Sequence, residues 1–231
     1  MRTRLITLFS FLLISSFFVS AQKDVTTFLG IPVDGYKSEM KKKLISKGYT
    51  PKTSGSNDFL EGEFNGSKVY IYIGTNNNKV FRLMVSDAIT MDEANIKNRF
   101  NKLVGQFERN KRYSSFIEDQ TIPESENISY EMTVHNKIYE AVFYQKPDFN
   151  KVDTLAIQNK VKQKLLEKYS ESQLNNPTEE IQNEIVEASL AVGADLLLKK
   201  PVWFRIEELY GKYYISIFYD NEYNHADGED L

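Results

Sequence analysis

The stretch FLEGEFNGSKVYIYIGTNNNKVFRLMVS, residues 59–86, decides the fold. Asn65-Gly66 stands between two runs that alternate apolar and polar residues, which is the strongest short-range signal for a β-hairpin. Three asparagines at residues 76–78 form a second turn that leads into a third alternating run. The second run carries its β-branched side chains on one face: Val69, Ile71 and Ile73. The stretch therefore predicts three antiparallel strands joined by short turns.

A helix is predicted on each side of these strands. Tyr36, Met40 and Leu44 recur at a spacing of four residues, and Gly48 follows, so we expect a helix over residues 36–47. The segment TMDEANIKNRFNKLVGQFERN, residues 90–110, predicts the second helix, with Thr90 and Glu93 as a capping box. Its apolar stripe consists of Ile96, Phe100, Leu103 and Phe107.

A second group of elements follows a polar connection. Residues 113–127 contain a proline and show no sustained period, whereas ISYEMTVHNKIYEAVFY, residues 128–144, alternates and predicts a hairpin that turns near His135. Two helices are expected next, one over residues 153–169 and one capped by Asn176 with Pro177 in its first position. A last hairpin turns at Tyr210-Gly211.

These elements predict an α+β protein built of two antiparallel-sheet units, each with helices packed on one face. The first unit, residues 22–112, has the order helix, three strands, helix. Residues 113–127 connect it to the second unit, residues 128–231, which has two strands, two helices and two strands.

The first 21 residues predict export. A basic start precedes an apolar run over residues 5–19, and small residues end at Ala21, which is typical of a signal peptide cleaved after that residue. The run is shorter than the roughly 20 residues of a transmembrane helix. We therefore expect a periplasmic or extracellular protein without a transmembrane span, and the absence of cysteine argues against a lipid anchor.

Charge and cysteine content narrow the class of function. The formal net charge is −3, and removal of Arg2 and Arg4 with the leader makes it more negative, which argues against nucleic acid as a partner. The chain has no cysteine, so disulfides, thiolate nucleophiles and zinc–thiolate sites are excluded. No cofactor is predicted.

The closing segment YDNEYNHADGEDL, residues 219–231, holds the densest group of metal-ligating residue types. Asp220, Glu222, His225 and Asp227 are the candidate metal ligands. The sixth and twelfth positions of a calcium loop counted from Asp220 are His225 and Leu231, so an EF-hand is rejected. The alternative is a polar end that forms hydrogen bonds locally through its Asn and Asp side chains.

Tyrosines mark candidate binding strands. Tyr70 and Tyr72 lie in the first hairpin and Tyr213 and Tyr214 in the last one, where aromatic rings on an exposed sheet face can contact a protein or a sugar. The alternative is that tyrosine simply suits a half-buried pleated surface. Trp203, between Val202 and Phe204, is predicted to lie in the core.

These observations favour a non-catalytic binding module. The chain lacks a G-x-S-x-G elbow, a phosphate-binding glycine loop and an H-E-x-x-H helix. The partner is expected to be another envelope protein or a glycan. The alternative is a carboxylate-dependent hydrolase acting on glycans, which needs two acidic side chains in a cleft.

The stretches FLGIPVDG, LISKGYT and YGKYYISIFYDNEYNHADGEDL resemble an uncharacterised group of exported proteins of gut Bacteroidota. The order of helix and three strands in residues 36–88 is also loosely similar to small envelope modules of the lactamase-inhibitor and outer-membrane-assembly type. The resemblance implies export, and it makes DTL, residues 153–155, a possible O-glycosylation acceptor with Thr154 modified. It transfers no active-site residue.

Overall fold

The computed structural model describes residues 23–148 and 150–225. Ten strands of this part of the chain form two antiparallel sheets, and the α+β class is confirmed. A small sheet pairs β1 (Thr27–Phe28) with β2 (Ile31–Pro32). The large sheet has the order β3-β4-β5-β6-β10-β9-β8-β7. Its strands are β3 (Thr50–Ser54), β4 (Asn57–Phe64), β5 (Ser67–Asn76), β6 (Lys79–Asp87), β7 (Tyr113–Ser114), β8 (Glu140–Gln145), β9 (Pro201–Leu209) and β10 (Lys212–Asp220).

Within the described residues, six helices connect or cover these strands. They are α1 (Lys37–Ser46), α2 (Glu93–Arg109), α3 (Ile128–His135), α4 (Thr154–Leu166), α5 (Glu171–Asn175) and α6 (Glu179–Leu198). Among the residues that the structure describes, no helix is long and apolar enough to cross a bilayer.

The main core lies between the large sheet and the helices α1 and α2, and we call this side of the sheet the inner face. The stripe of α2 is buried as predicted, with Val104 added to it. The Phe107 ring stacks on the ring of Phe143, with 4.9 Å between their centroids, and the Phe100 ring meets Phe204 edge-on at 5.0 Å. Aromatic contacts thus fix α2 across the centre of the sheet.

The strands of the two expected units join in one continuous sheet. Strand β6 of the first group pairs with β10 of the second, with Ser86 opposite Ser216. Inner-face residues of the two strands lie opposite one another, Val85 beside Ile217 and Leu83 beside Tyr219, so the pairing buries them in one core and removes two exposed strand edges. The expected second sheet unit therefore contributes three strands, β8, β9 and β10, to a shared eight-stranded sheet, and β7 comes from the expected connection.

Residues 128–135 form a helix, so the hairpin predicted for residues 128–144 is wrong in its first half. The Asn127 side chain caps α3 by accepting a hydrogen bond from Tyr130 N at 2.9 Å. Asn136 ends the helix in the left-handed conformation. Alternation predicts a strand with one buried face, but Ile128 is the one residue of this segment that is buried. The alternating pattern therefore did not reflect burial. The caps at both ends decided the structure of this segment.

Two predicted helix caps are also corrected. Asp92, not Thr90, caps α2, and its carboxylate accepts a hydrogen bond from Asn95 N at 2.9 Å. Thr178, not Asn176, caps α6, because Thr178 has the extended backbone that a capping residue needs. Glu93 therefore does not form the predicted capping box with Thr90. Its carboxylate instead binds the N-terminus of α3.

The Glu93 carboxylate caps α3 from a distance in sequence. It accepts hydrogen bonds from Ile128 N at 2.8 Å and from the Ser129 hydroxyl at 2.6 Å. The hydrogen bond from Ser129, followed by those from the backbone of Ile128 and Ser129, holds the pKa of Glu93 below its ordinary value of 4.5. A carboxylate at a helix N-terminus also complements the helix dipole.

We expect Glu93→Gln to destabilise the protein at pH 7, and we expect this deficit to shrink as the pH falls from 4.5 toward 3. Because the pKa of Glu93 is lowered in the folded state, its contribution is fully present above pH 4.5 and is lost as the pH falls through the folded value. Thermal unfolding of both proteins across pH 3 to 7 measures the difference. Glu108→Gln, on an exposed part of α2, is the matched control. A Glu93→Gln deficit that is constant over this range contradicts the assignment.

Helices α4, α5 and α6 form an arm with its own small core. This core consists of Val161, Leu165, Ala188 and Val192. At its base, the buried ammonium of Lys200 pairs with both carboxylate oxygens of Asp24, at 2.8 and 2.9 Å. The arm is inserted between β8 and β9, and Thr154, the expected glycosylation acceptor, lies exposed in the first position of α4.

Candidate binding site on the outer sheet face

The face of the large sheet opposite α1 and α2, which we call the outer face, carries a line of large side chains. Adjacent strands place them side by side. We call these six residues the aromatic row: Phe59 on β4, Tyr72 on β5, Met84 on β6, Phe218 on β10, Trp203 on β9 and Val142 on β8. Only Phe218 is buried, and the others are half-buried. The row therefore offers a contiguous apolar surface that the chain itself covers only in part.

Tyrosines extend the row at the β4–β5 end. The Phe59 ring lies 5.0 Å from the Tyr70 ring and 5.5 Å from the Tyr72 ring, measured between centroids. Burial raises the pKa of Tyr72 and of Tyr214, so both phenols stay neutral at physiological pH. Neutral phenols combine apolar rings with hydroxyl groups that donate or accept hydrogen bonds.

The centre of the row is ordered by one carboxylate. Asp220 accepts hydrogen bonds from Arg82 Nε at 2.6 Å and Nη2 at 2.7 Å, and from the Trp203 indole nitrogen at 2.8 Å. The Trp203 ring stacks on Phe218, with 4.0 Å between centroids. The Arg82 guanidinium lies 5.4 Å from the Trp203 ring centroid. Charge-assisted and cation–π contacts thus hold these rings in fixed positions.

The structure places three of the four candidate tyrosines on this face. Tyr70, Tyr72 and Tyr214 are half-buried on the outer side. Tyr213 is not: it is buried on the inner face, and its hydroxyl lies 2.7 Å from the Ser129 hydroxyl. Successive residues of a strand point to opposite faces, so Tyr213 and Tyr214 cannot share one surface.

The prediction for Trp203 was also wrong. Trp203 was expected in the core, but it lies half-buried on the outer face. Its neighbours Val202 and Phe204 are the buried inner-face residues of β9. Sequence reasoning also missed Phe59, Met84 and Phe218. The Asn65-Gly66 turn fixes the register that brings Phe59 beside Tyr72, so that contact was predictable. The position of Phe218 depends on the pairing of β6 with β10, for which the sequence has no local signal.

The candidate metal ligands do not converge in the described residues. Asp220 is already neutralised by Arg82, and the His225 ring packs edge-on against Phe81 at 5.1 Å between centroids. Glu222 is half-buried in the turn that follows β10. Asp227 lies outside the described residues. Within residues 23–148 and 150–225, no three His, Asp or Glu side chains are grouped so that they could hold a metal ion.

The described part of the closing segment fastens the start of the chain to the sheet. The Asn221 side-chain amide donates to Val33 O at 2.7 Å, and the Asn224 amide donates to the Asp34 carboxylate at 2.7 Å and to Val80 O at 2.8 Å. These amides provide hydrogen-bond donors to the backbone carbonyls of Val33 and Val80. Residues 220–225 are thus a polar, hydrogen-bonded segment, but the partners of the Asp220 carboxylate and of the Asn221 and Asn224 amino groups are distant in the sequence and not local as the alternative prediction expected.

Comparison of the chain with models of protein families, with curated proteins and with solved structures gives no match. The resemblance to exported proteins of Bacteroidota stays a prediction. Function must be argued from the site itself, because an α+β fold alone is compatible with many activities.

Proposed function

We propose that this protein is a non-catalytic binding module of the cell envelope and that its outer face binds another protein. The observation that carries the proposal is the aromatic row, a contiguous line of four rings, one methionine and one valine across six adjacent strands. Patches of this kind on a folded surface mark interaction sites. The signal peptide predicted for residues 1–21, which lie outside the described residues, supports the location.

The composition of the outer face fits a protein partner. Tyr, Trp, Met and Arg are the residue types enriched in protein interfaces, and all four occur in or beside the aromatic row. The Arg205 guanidinium pairs with Glu207 at 2.6 Å, so its charge is partly balanced before any partner arrives. An interface of pre-ordered rings loses little side-chain entropy on binding.

A protein suits the centre of the row better than a sugar does. Stacking of a sugar on tryptophan requires a free ring face, but Trp203 is stacked on Phe218 and has the Arg82 guanidinium over its ring. A flat protein surface needs no free ring face and can pack against the edges and half-covered rings. Glycan binding on the outer face therefore ranks second.

The acidic side chains of the outer face form ion pairs with basic side chains, which supports a binding function over the alternative, glycan hydrolysis. A general acid needs a carboxyl group whose pKa is raised toward the working pH. On the outer face, Glu61 pairs with Lys68 at 2.8 Å, and the hydrogen bond from Lys68 lowers the pKa of Glu61. Glu207 and Asp220 pair with arginines. Such carboxylates suit ion pairing better than proton donation.

We expect Tyr72→Ala and Tyr214→Ala to abolish capture of the partner. Removing an aromatic residue at the centre of an interface costs about 2 to 4 kcal/mol, which is roughly 30-fold or more in affinity. The purified protein is immobilised, envelope extract is passed over it, and bound proteins are compared between variants by mass spectrometry.

The matched control is Tyr210→Ala, because Tyr210 is a 95% exposed tyrosine at the β9–β10 turn, away from the row. A partner retained by wild type and Tyr210→Ala but lost from both outer-face variants, Tyr72→Ala and Tyr214→Ala, supports the proposal. The proposal fails when wild type captures nothing, or when the two outer-face variants, with unchanged thermal midpoints, capture the same proteins.

A further inference from the structure

A cleft of about 460 Å³ lies on the other side of the molecule, between α2 and the β4–β5 turn. Its floor includes Tyr49 and Tyr219, which are buried, and its walls include the half-buried rings of Phe64 and Tyr113. The size falls within the range of small-molecule sites, and the mixture of aromatic walls with a few polar groups is typical of them.

One hydroxyl donor at the floor of the cleft is left over. Tyr219 is only 3% exposed, and its hydroxyl lies close to the Tyr113 hydroxyl. Gln145 Nε2 donates to that same Tyr113 oxygen at 3.1 Å. The two phenols carry two hydrogens, and only one can lie between them, so the other is available to an acceptor in the cleft. Burial raises the pKa of Tyr219 well above its ordinary value, which keeps the phenol protonated.

Neutral amide groups form the rim of the cleft. Asn65 Nδ2 donates to Gln106 Oε1 at 2.7 Å, which leaves the Gln106 amino group and the Asn65 oxygen free for a ligand. The Asn110 oxygen accepts from Arg112 N at 3.1 Å, which leaves the Asn110 amino group. The rim therefore presents both donors and acceptors without a net charge of its own.

We propose that this cleft binds one ring of a neutral sugar. A sugar ring has apolar C–H faces that suit the rings of Phe64 and Tyr113, and hydroxyl groups that pair with the amides and with the leftover phenol hydrogen. A hydrocarbon ligand would leave those polar groups unpaired, which is costly. The site is separate from the outer face, so it stands or falls independently of the proposed protein partner.

Saturation-transfer difference NMR on the purified protein tests this inference. The probes are the methyl glycosides of glucose, galactose and mannose, together with N-acetylglucosamine, and p-cresol represents an aromatic ligand without a sugar ring. We expect transfer to at least one sugar. In Tyr219→Phe, which removes only the hydroxyl group, the affinity of that sugar falls about fivefold to tenfold, the effect of one lost hydrogen bond.

The matched control is Tyr210→Phe, which removes a hydroxyl group from the exposed β9–β10 turn and should leave the affinity unchanged. Gln106→Leu gives a second measurement at the rim, so a folding defect of one variant does not decide the result. No transfer to any of the four sugars overturns the inference. The inference is also overturned if Tyr219→Phe and Gln106→Leu both leave the saturation transfer to the sugar unchanged. Binding of p-cresol without binding of any sugar overturns it as well.

Discussion

Arg99→Met is expected to lower the free energy of unfolding by about 3 to 5 kcal/mol, the cost of leaving one partner of a buried ion pair alone. Arg99 of α2 forms a bidentate pair with Asp87 of β6, with Nε at 2.6 Å from Oδ2. The side chains are only 13% and 4% exposed. Asp87 also accepts a hydrogen bond from Ile215 N of β10 at 3.2 Å. The pair thus joins α2 to the junction of β6 and β10.

A double-mutant cycle, measured by urea denaturation, isolates the interaction energy between Asp87 and Arg99 from their other contacts. The double variant Asp87→Leu/Arg99→Met should recover at least half of the loss, because apolar side chains of similar size replace both charges. Lys160→Met, which breaks an exposed ion pair with Asp195 on the helical arm, is the control and should change stability little. A loss below about 1 kcal/mol in Arg99→Met contradicts this account.

Asp220→Ala is expected to lower the free energy of unfolding by about 2 to 4 kcal/mol and also to abolish partner capture by the outer face. The substitution leaves Arg82 and the Trp203 indole N–H without their acceptor. The Trp203 and Phe218 rings then lose the contacts that fix them, so the centre of the aromatic row is no longer pre-ordered. Urea denaturation and the capture experiment measure the two effects separately.

Asp220→Asn is the conservative comparison, because it keeps the shape and one acceptor oxygen but removes the charge. We expect an intermediate loss of stability. The wild-type thermal midpoint should be the same in EDTA, calcium and zinc, since a bound metal would stabilise the folded state by mass action. A rise of several degrees with either ion, absent from Asp220→Ala, would contradict the ion-pair role and favour a metal site.

The hairpins were predictable because their signals are local. Asn65-Gly66 and Tyr210-Gly211 have positive φ at both positions, as the type I′ turn requires. The turn then fixes the register of the strands it joins, and the alternating pattern fixes which side chains face the core. The same logic gave the correct outer placement of Tyr70 and Tyr72.

Residues 128–135 show where local pattern fails. Their alternation fits a strand, but α3 is set by Asn127 at one end, Asn136 at the other, and the Glu93 carboxylate from 35 residues earlier in the chain. A carboxylate so distant in sequence leaves no periodic signal in the segment that it caps. Tertiary contacts therefore outweighed the pattern.

The sequence by itself determined the α+β class, the antiparallel hairpins, the buried stripe of α2 and the polar character of the closing segment. Each of these features has its signal in residues that are close together in the sequence. Only the tertiary structure decided that β6 pairs with β10. That pairing merges the strands into one sheet, aligns Tyr72 with Phe218 and Trp203, and brings Arg82 to Asp220. Every strand edge presents the same backbone N–H and C=O groups, so the backbone does not specify which strands pair. The arrangement that buries the most apolar surface in the whole core decides the long-range pairing.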